Sequence, residues 1–522
     1  MQAVGGAGQA GPPALAVEAG VEVEPAASPA HDGGVEGVDG VPGAGGTGLE
    51  DGVGGGLPVR RAAPNGVERC AAAEGELSLA GRRAGRKDEQ GEPKPRIPSS
   101  AQDSRVYWSA LGSTRRRRWL GLGVVAALAA SGWASTFAID FSVYWTICRS
   151  AIGDGGGLYG EASRLPWPMW YRYPPLFAWL LWPLSLLPFR AAAFLWALGK
   201  LVALAAVLRE LGRRVGATAP MWGLAALAGL PWVLMELRYG NAQGAVFALT
   251  AAALLGAGKR PRLAAAGLGL AAALKVWPLF FVPYLAARRR WAVAAGATVW
   301  AAALTLAPAA WTGWAAHAAA LGDWWAQESA IASRGGSIWF PSQSLLGVMT
   351  RHWTALSWKD QPDPNYPLVN WLALDPAWVR GLWLALAAAG CLALWRWARR
   401  LPPEAEPSAA AAALCALALL EPYAQRQTAL VVLAWPALVA AAAAYRRGGR
   451  PRTLFAAAVA LVWLQPLTPS AWWQRVYEVW GLDALAAVLL LAASAGGFTM
   501  TGVGGSPCPN RSSSTSTAEH ER

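Results

Sequence analysis

From residue 119 onward the chain is a succession of apolar runs whose ends carry arginine or lysine clusters, and this pattern leaves few folds open. The runs occupy 119–139, 173–188, 191–208, 220–236, 242–257, 262–286, 291–310, 376–397, 409–420, 429–444, 453–466 and 480–495. Crossing a ~30 Å hydrocarbon core takes roughly 20 helical residues, and the runs approach that length repeatedly, although several are short. The expected fold is an all-α polytopic membrane protein with about 10–13 transmembrane helices. Hydrophobic residues at 54%, charged residues at only 15%, and 31 Trp agree with a membrane protein carrying aromatic interfacial belts and exclude a soluble enzyme. The net charge of +13 does not point to nucleic acid, because the arginines punctuate run ends and do not form a face with stacking aromatics. Five scattered Cys and four His provide neither a disulfide framework nor ligand spacing for a metal, so no metal is expected.

Three zones follow. Residues 1–114 are rich in Gly, Ala, Pro and Glu, with aperiodic stretches such as Gly-Gly-Val-Glu-Gly-Val-Asp-Gly, and read as a disordered tail. Residues 115–495 form the membrane zone, and 496–522 read as a second loose tail. No cleavable secretory signal is evident in the first zone, so the helix starting at Trp119 is expected to act as an uncleaved anchor.

Arg115 to Arg118 precede that anchor, which by the positive-inside tendency puts the N-terminus in the cytoplasm and Asp140, at the helix's other end, outside. Beyond it the rule runs into difficulty: Arg213 and Arg214, Lys259 to Arg262, and Arg288 to Arg290 cannot share one side if every run between them crosses once. A bend back within 262–286, at Lys275-Val-Trp-Pro278, removes the conflict, since proline deletes a helical donor and irregular backbone is tolerated beside a polar cavity. Residues 140–172 and 311–375 are the two long non-membrane segments, and if both lie outside they can form one roof over a cavity.

Asp140 is the residue that most asks for a role. A carboxylate at the mouth of a membrane helix is costly and marks a candidate reaction centre, although Asp also ends helices as a solvated boundary residue. Lys275 interrupts an apolar stretch, as an ammonium facing a cavity does, or as a lysine snorkelling to the interface does. Arg172 and Arg238 stand at helix mouths, where a phosphate headgroup or simple interfacial anchoring accounts for them equally. Asn241 and Gln243 open an apolar run as sugar-binding amides, or Asn241 as a cap; Gln343 and Ser344 carry the same ambiguity. Tyr144 is one of many outer aromatics, suited to stacking on sugar or to belt packing. Arg426 is expected to pair locally with Glu421, and Lys200 is an intramembrane charge with a possible place on the donor side.

Taken in order, Asp140-Phe-Ser-Val-Tyr144, Leu158-Tyr159, Tyr173-Pro174-Pro175-Leu176, Trp182-Pro183-Leu184, Gly240-Asn241-Ala242-Gln243, Gly267-Leu-Gly-Leu with Lys275 and Pro278, Arg288-Arg-Arg-Trp291 and Gln343-Ser344-Leu345 resemble glycosyltransferase family 87. That family comprises polyprenol-phosphate-mannose-dependent α-mannosyltransferases of the GT-C superfamily. The resemblance implies a GT-C-like bundle with extracytoplasmic loops in the cell membrane. It implies inverting transfer of a hexose, mannose first, from a polyprenol-phosphate donor to a lipid-linked or cell-envelope glycan acceptor, with Asp140 as general base and no cofactor. His352, following Arg351, is implied as a phosphate ligand or proton relay, with His317 as its alternative. The partners are then the bilayer, the lipid donor and a glycolipid or glycan acceptor, with no nucleic acid. A multi-helix transporter, whose midplane sites also use broken helices and buried lysines, is the rival from another class; a GT-C enzyme using arabinose or glucose is the rival within it.

Overall fold

The computed structural model describes residues 113–153, 157–159, 170–333, 341–355 and 366–495. The two tails assigned from the sequence therefore lie outside the described residues, apart from Ser113 and Thr114. In chain order the helices are α1 (Ser113–Ala134), α2 (Ile139–Cys148), α3 (Pro175–Ser185), α4 (Phe189–Arg214), α5 (Ala219–Tyr239), α6 (Gln243–Gly256), α7 (Pro261–Leu274), α8 (Phe281–Ala287), α9 (Trp291–Leu306), α10 (Ala309–Thr312), α11 (Trp314–Ser333), α12 (Leu345–Trp353), α13 (Pro376–Arg400), α14 (Glu406–Leu420), α15 (Ala434–Arg447), α16 (Gly449–Leu467), α17 (Ala471–Trp480) and α18 (Leu482–Ala495). Among the described residues, strand-like pairing is confined to two isolated bridges, Ser342 with Gln425 and Thr354 with Leu374. The fold is all-α, as the run pattern predicts.

Proline and glycine punctuate these helices where local chemistry favours them. Proline lies in the first turn of α3, α5, α7 and α13, where its missing N–H has no intrahelical partner to lose. Gly240 and Gly481 end α5 and α17 in the left-handed conformation. Five helical stretches are long and apolar enough to cross a membrane, namely α4, α5, Trp291–Thr312, α13 and Leu430–Arg447. Two further pairs, α1 with α2 and α17 with α18, qualify if each bent pair counts as one span, and α3, α6, α7 and Trp277–Ala287 are shorter apolar helices in the same bundle.

The arginine clusters gather at one end of the bundle. Arg214 donates to the carbonyl of Leu255, and Arg446 to those of Val215 and Gly216. Arg288 donates to the carbonyls of Ala398 and Leu401, each at 2.6 Å, and pairs with Glu406 at 2.8 Å. A Cβ placed on Gly258 would stand 3.2 Å from the Arg290 guanidinium. Farther along the same pair of helices, a Cβ on Gly296 would meet Ala265 at 2.9 Å, and one on Gly269 would meet Trp300 at 2.4 Å. Residue numbers rise together along both helices, so α7 and α9 run parallel, and the segment between them must return. It does so through the break at Lys275, which is extended (φ −155°, ψ 134°), a 3-10 turn at Trp277–Phe280, and α8. The 262–286 run thus folds as a helical hairpin, and Lys259–Arg262 and Arg288–Arg290 share one end.

At the other end Ala134, Ala197 and Leu237 pack together, joining the end of α1, the first part of α4 and the end of α5. α5 has 21 residues, which at ~1.5 Å per residue is about 31 Å, the thickness of the hydrocarbon core. Gly240 and Asn241 consequently lie at the rim opposite the arginines. Beyond Ala134 the chain bends by 72° into α2. Ala138 occupies the left-handed region at the bend (φ 37°), and its N–H donates to the carbonyl of Arg238 at 2.9 Å, tying the bend to the end of α5. At 10 residues α2 is too short to cross; it lies past the span, at this rim.

Candidate functional site

Asp140 is in the first turn of α2 and only 8% exposed. Its Oδ2 accepts a 2.7 Å hydrogen bond from the side-chain amide of Asn241. The Asn241 Oδ1 in turn accepts from the backbone N–H of Gln243 at 2.9 Å and from the Tyr173 hydroxyl at 3.3 Å, and the Tyr144 hydroxyl donates to that of Tyr173 at 3.0 Å. With both Oδ1 contacts made by donors, the Asn241 amide is oriented with its N–H toward the carboxylate. Four residues singled out in the sequence, from three separate motifs, therefore form one chain ending on Asp140.

The elbow that carries Asn241 needs glycine at its corner. Gly240 has φ 71°, and a Cβ there would stand 2.8 Å from the Cβ of Phe141, the neighbour of Asp140 on α2. Beneath the elbow, Lys200 and Glu236 form an ion pair of 2.9 Å with both side chains 2% exposed. Lys200 is thus enclosed within the protein, not open to a donor substrate. Glu236, a fixed part of the elbow, has no counterpart in the residues singled out from the sequence; a carboxylate late in an apolar run was the available signal.

Lys275 stands on the open side. Its ammonium lies 5.7 Å from the centre of the Tyr173 ring, and the helix break displays it at the rim. It makes no hydrogen bond or ion pair among the described residues. Gln243 is fully buried; its Oε1 accepts from Trp277 Nε1 at 3.1 Å, and its Nε2 donor has no partner among the described residues. Arg172 grips Glu328 of α11 with two hydrogen bonds of 3.0 and 2.7 Å and lies over the Tyr423 ring at 5.5 Å.

Glu421 faces the same space. Arg426 does not pair with it, contrary to the sequence expectation: Arg426 is buried against Asp483 at 3.5 Å, donates to the Val462 carbonyl at 2.7 Å and also to Gln465. The two residues are five apart, but Glu421 closes α14 while Arg426 turns into the α16–α18 side of the bundle. The Glu421 carboxylate makes no hydrogen bond or ion pair among the described residues. Burial pushes it above the ordinary carboxylate range, with Lys275 and Arg172 opposing.

Burial likewise pushes the Asp140 carboxyl up to about 6, against the Asn241 hydrogen bond and the charges of Lys275 and Lys200, while Glu236 adds to the rise. A carboxylate with that value is ionised at neutral pH yet basic enough to accept a proton from an attacking hydroxyl.

Other sequence candidates lie around this centre. Arg238 is exposed at the rim, its guanidinium 4.7 Å from the Phe137 ring centre. Ser344 caps α12 by accepting from the Gly347 N–H at 2.9 Å, and its hydroxyl donates to the Pro422 carbonyl at 3.0 Å. Gln343 donates through its backbone to the Ala424 carbonyl at 2.5 Å and through its side chain to the Glu478 carbonyl at 2.9 Å, with Oε1 unmatched among the described residues. Both residues hold the 422–424 turn that follows Glu421 and carries Tyr423. His352 sits between Trp371 and Trp480, its Nδ1 accepting from Trp371 Nε1 at 2.8 Å, away from the Asp140 chain of hydrogen bonds. His317 is buried against the Thr305 carbonyl at 2.8 Å. Among the described residues no group of three His, Cys, Asp or Glu stands where it could hold a metal.

The described residues thus form a helical bundle with a buried, hydrogen-bonded carboxylate at one rim and, among those residues, an ammonium with no hydrogen bond or ion pair beside it. Residues 170–422 match the model of glycosyltransferase family 87. The chain is similar to a polyprenol-phosphate-mannose-dependent alpha-(1-2)-phosphatidylinositol pentamannoside mannosyltransferase of Mycolicibacterium smegmatis, 31% identical over 38% of this chain and 48% of the relative. A protein of the same description from Mycobacterium tuberculosis is 34% identical over 31% of this chain and 39% of the relative. The matches thus span less than half the length of each relative. No solved structure matches the chain.

Proposed function

We propose that the protein transfers a hexose, mannose foremost, from a polyprenol-phosphate carrier to a lipid-linked or cell-envelope glycan on the extracytoplasmic face of the cell membrane, with inversion and with Asp140 as general base. The observation that carries this is the Asp140 carboxylate held by Asn241 at the rim opposite the arginine clusters, with the Lys275 ammonium nearby. The positive-inside tendency assigns the arginine end to the cytoplasm, which leaves the Asp140 rim outside. The relatives' dependence on polyprenol-phosphate-mannose supports the donor.

In this reading the acceptor hydroxyl gives its proton to Asp140 as its oxygen bonds to the anomeric carbon. The bond from that carbon to the phosphate oxygen breaks on the opposite face, so configuration inverts. The departing polyprenyl phosphate gains negative charge, which Lys275 offsets without reorganising, with Arg238 at the same rim and Arg172, paired with Glu328, contributing once that pair opens. Tyr144 and Tyr173 orient Asn241, Gln243 supports the elbow from its buried place against Trp277, and Gln343 and Ser344 support the wall bearing Glu421. His352 keeps the role of phosphate ligand or proton relay, outside the Asp140 chain of hydrogen bonds, and no cofactor is assigned.

Membranes containing wild-type protein or Asp140→Asn, supplied in parallel with radiolabelled polyprenol-phosphate mannose, arabinose or glucose and native lipid extract, test the reading. Transfer should fall by about 100-fold or more in the variant at equal protein level. Turnover near wild type in Asp140→Asn would reject the base; label moving only from an arabinose or glucose carrier would reject mannose.

A further inference from the structure

We propose that the buried Lys200–Glu236 pair is a positioning device: with Trp196 it clamps the Gly240–Gly244 elbow, and through Asn241 it fixes the carboxylate of Asp140. This rests on Asp140 being the base.

Every bond that leaves the pair goes to the same elbow. Lys200 Nζ donates to the Asn241 carbonyl at 2.8 Å as well as to Glu236 Oε1. Trp196, one turn earlier on α4, donates from Nε1 to the preceding carbonyl, that of Gly240, at 2.9 Å. Glu236 Oε1 also accepts the Gly244 N–H at 2.9 Å, placing a carboxylate on the N-terminus of α6, where the helix dipole favours it. A Cβ on Gly244 would stand 2.8 Å from that oxygen, so the approach requires glycine. Two residues four apart on α4 thus hold two consecutive carbonyls while α5 supplies the counter-charge. The residue so gripped is the one whose side chain holds Asp140.

Stability alone is a weak reason for this arrangement. Desolvating two charges offsets most of their attraction, and apolar replacements of buried pairs are often neutral or stabilising. What an apolar pair lacks is a donor for the Asn241 carbonyl and an acceptor for the Gly244 N–H. Neither Lys200, 3% exposed, nor Glu236, 2% exposed, is open to substrate, so both act through Asn241.

Lys200→Met, Lys200→Arg and the exchange Lys200→Glu with Glu236→Lys, purified in detergent beside Asp140→Asn, provide the test. Donor KM, kcat, the pH profile of kcat and thermal unfolding are measured for each. Lys200→Met should lower kcat by about 10- to 100-fold with donor KM within about two-fold, and its acid limb should move to higher pH, because a cation favouring the Asp140 carboxylate is gone. Lys200→Arg, still a donor to both partners, should recover most of the rate. The exchange should recover neither kcat nor full thermal stability, since a carboxylate at 200 cannot donate to the Asn241 carbonyl and an ammonium at 236 cannot accept the Gly244 N–H. Recovery of kcat together with stability in the exchange would overturn the proposal, and so would an unaltered kcat and pH limb in Lys200→Met. Should Lys200→Met fail to fold, the arginine variant and the exchange decide by the same criteria. An active Asp140→Asn would sink the base itself, whereas an inactive one beside a fully active Lys200→Met would sink only the clamp.

Discussion

Asp140 combines two properties that usually compete, burial and basic readiness. Burial lifts its carboxyl to about 6, and the Asn241 amide together with the Lys275 and Lys200 ammonium groups keeps it from rising further. A base must be deprotonated to act, so kcat should fall as pH drops through about 6 and hold level above it. Asn241→Ala removes a hydrogen bond to the charged form. It should move that limb to higher pH and lower kcat by about 10-fold or more, read from a pH series on the purified variant. A limb that stayed in place would show that Asn241 does not act on the titrating group. Asp140, Asn241, Tyr173 and Lys275 were legible in the sequence because a polar group at the mouth of an apolar helix, or within one, is conspicuous by its cost. Glu236, Glu421 and the true partner of Arg426 were not. Arg426 reaches Asp483 across 57 positions, a distance over which local pattern carries no information about side-chain direction.

At the scale of elements, the corners matter more than the helices they join. Gly240 closes α5 with φ 71° and leaves no room for a side chain beside Phe141. Gly240→Ala combines left-handed strain with a clash against α2, each on the order of 1–3 kcal/mol. The expected result is a lower unfolding temperature in detergent together with a loss of kcat larger than any rise in donor KM. An alanine variant matching wild type in both would remove the elbow from the account. The break at Lys275 was predicted from proline and from the charge conflict, whereas the closeness of α7 and α9 was not. That closeness depends on Gly269 and Gly296, which read in sequence only as small residues, although small residues are what permit helices to approach in a membrane. Helix boundaries shifted for a related reason. The 119–139 run contains a 72° turn, because the Ala138–Arg238 backbone hydrogen bond, invisible in the sequence, redirects the chain into α2.

For the whole molecule, the hairpin at 262–286 removes the conflict that the arginines create. With it, Arg213 and Arg214, Lys259 to Arg262, Arg288 to Arg290, and Arg446 and Arg447 all reach one end, where Arg214, Arg288 and Arg446 bind neighbouring carbonyls. Asn241 and Asp140 are then separated from that end by the length of α5, so in the proposed reaction donor and acceptor meet the carboxylate outside the cytoplasm if the arginines lie within it. Single cysteines in an otherwise cysteine-free chain test this at three exposed positions, Lys259, Arg289 and Asp375. In intact cells a membrane-impermeant maleimide should label Asp375→Cys, at the start of α13, and leave Lys259→Cys and Arg289→Cys unlabelled until the membrane is opened. Opposite labelling of Lys259→Cys and Arg289→Cys would break the hairpin. Joint labelling of those two, with Asp375→Cys protected, would keep the hairpin and invert the molecule, putting Asp140 on the cytoplasmic side and leaving the proposed orientation of transfer without support.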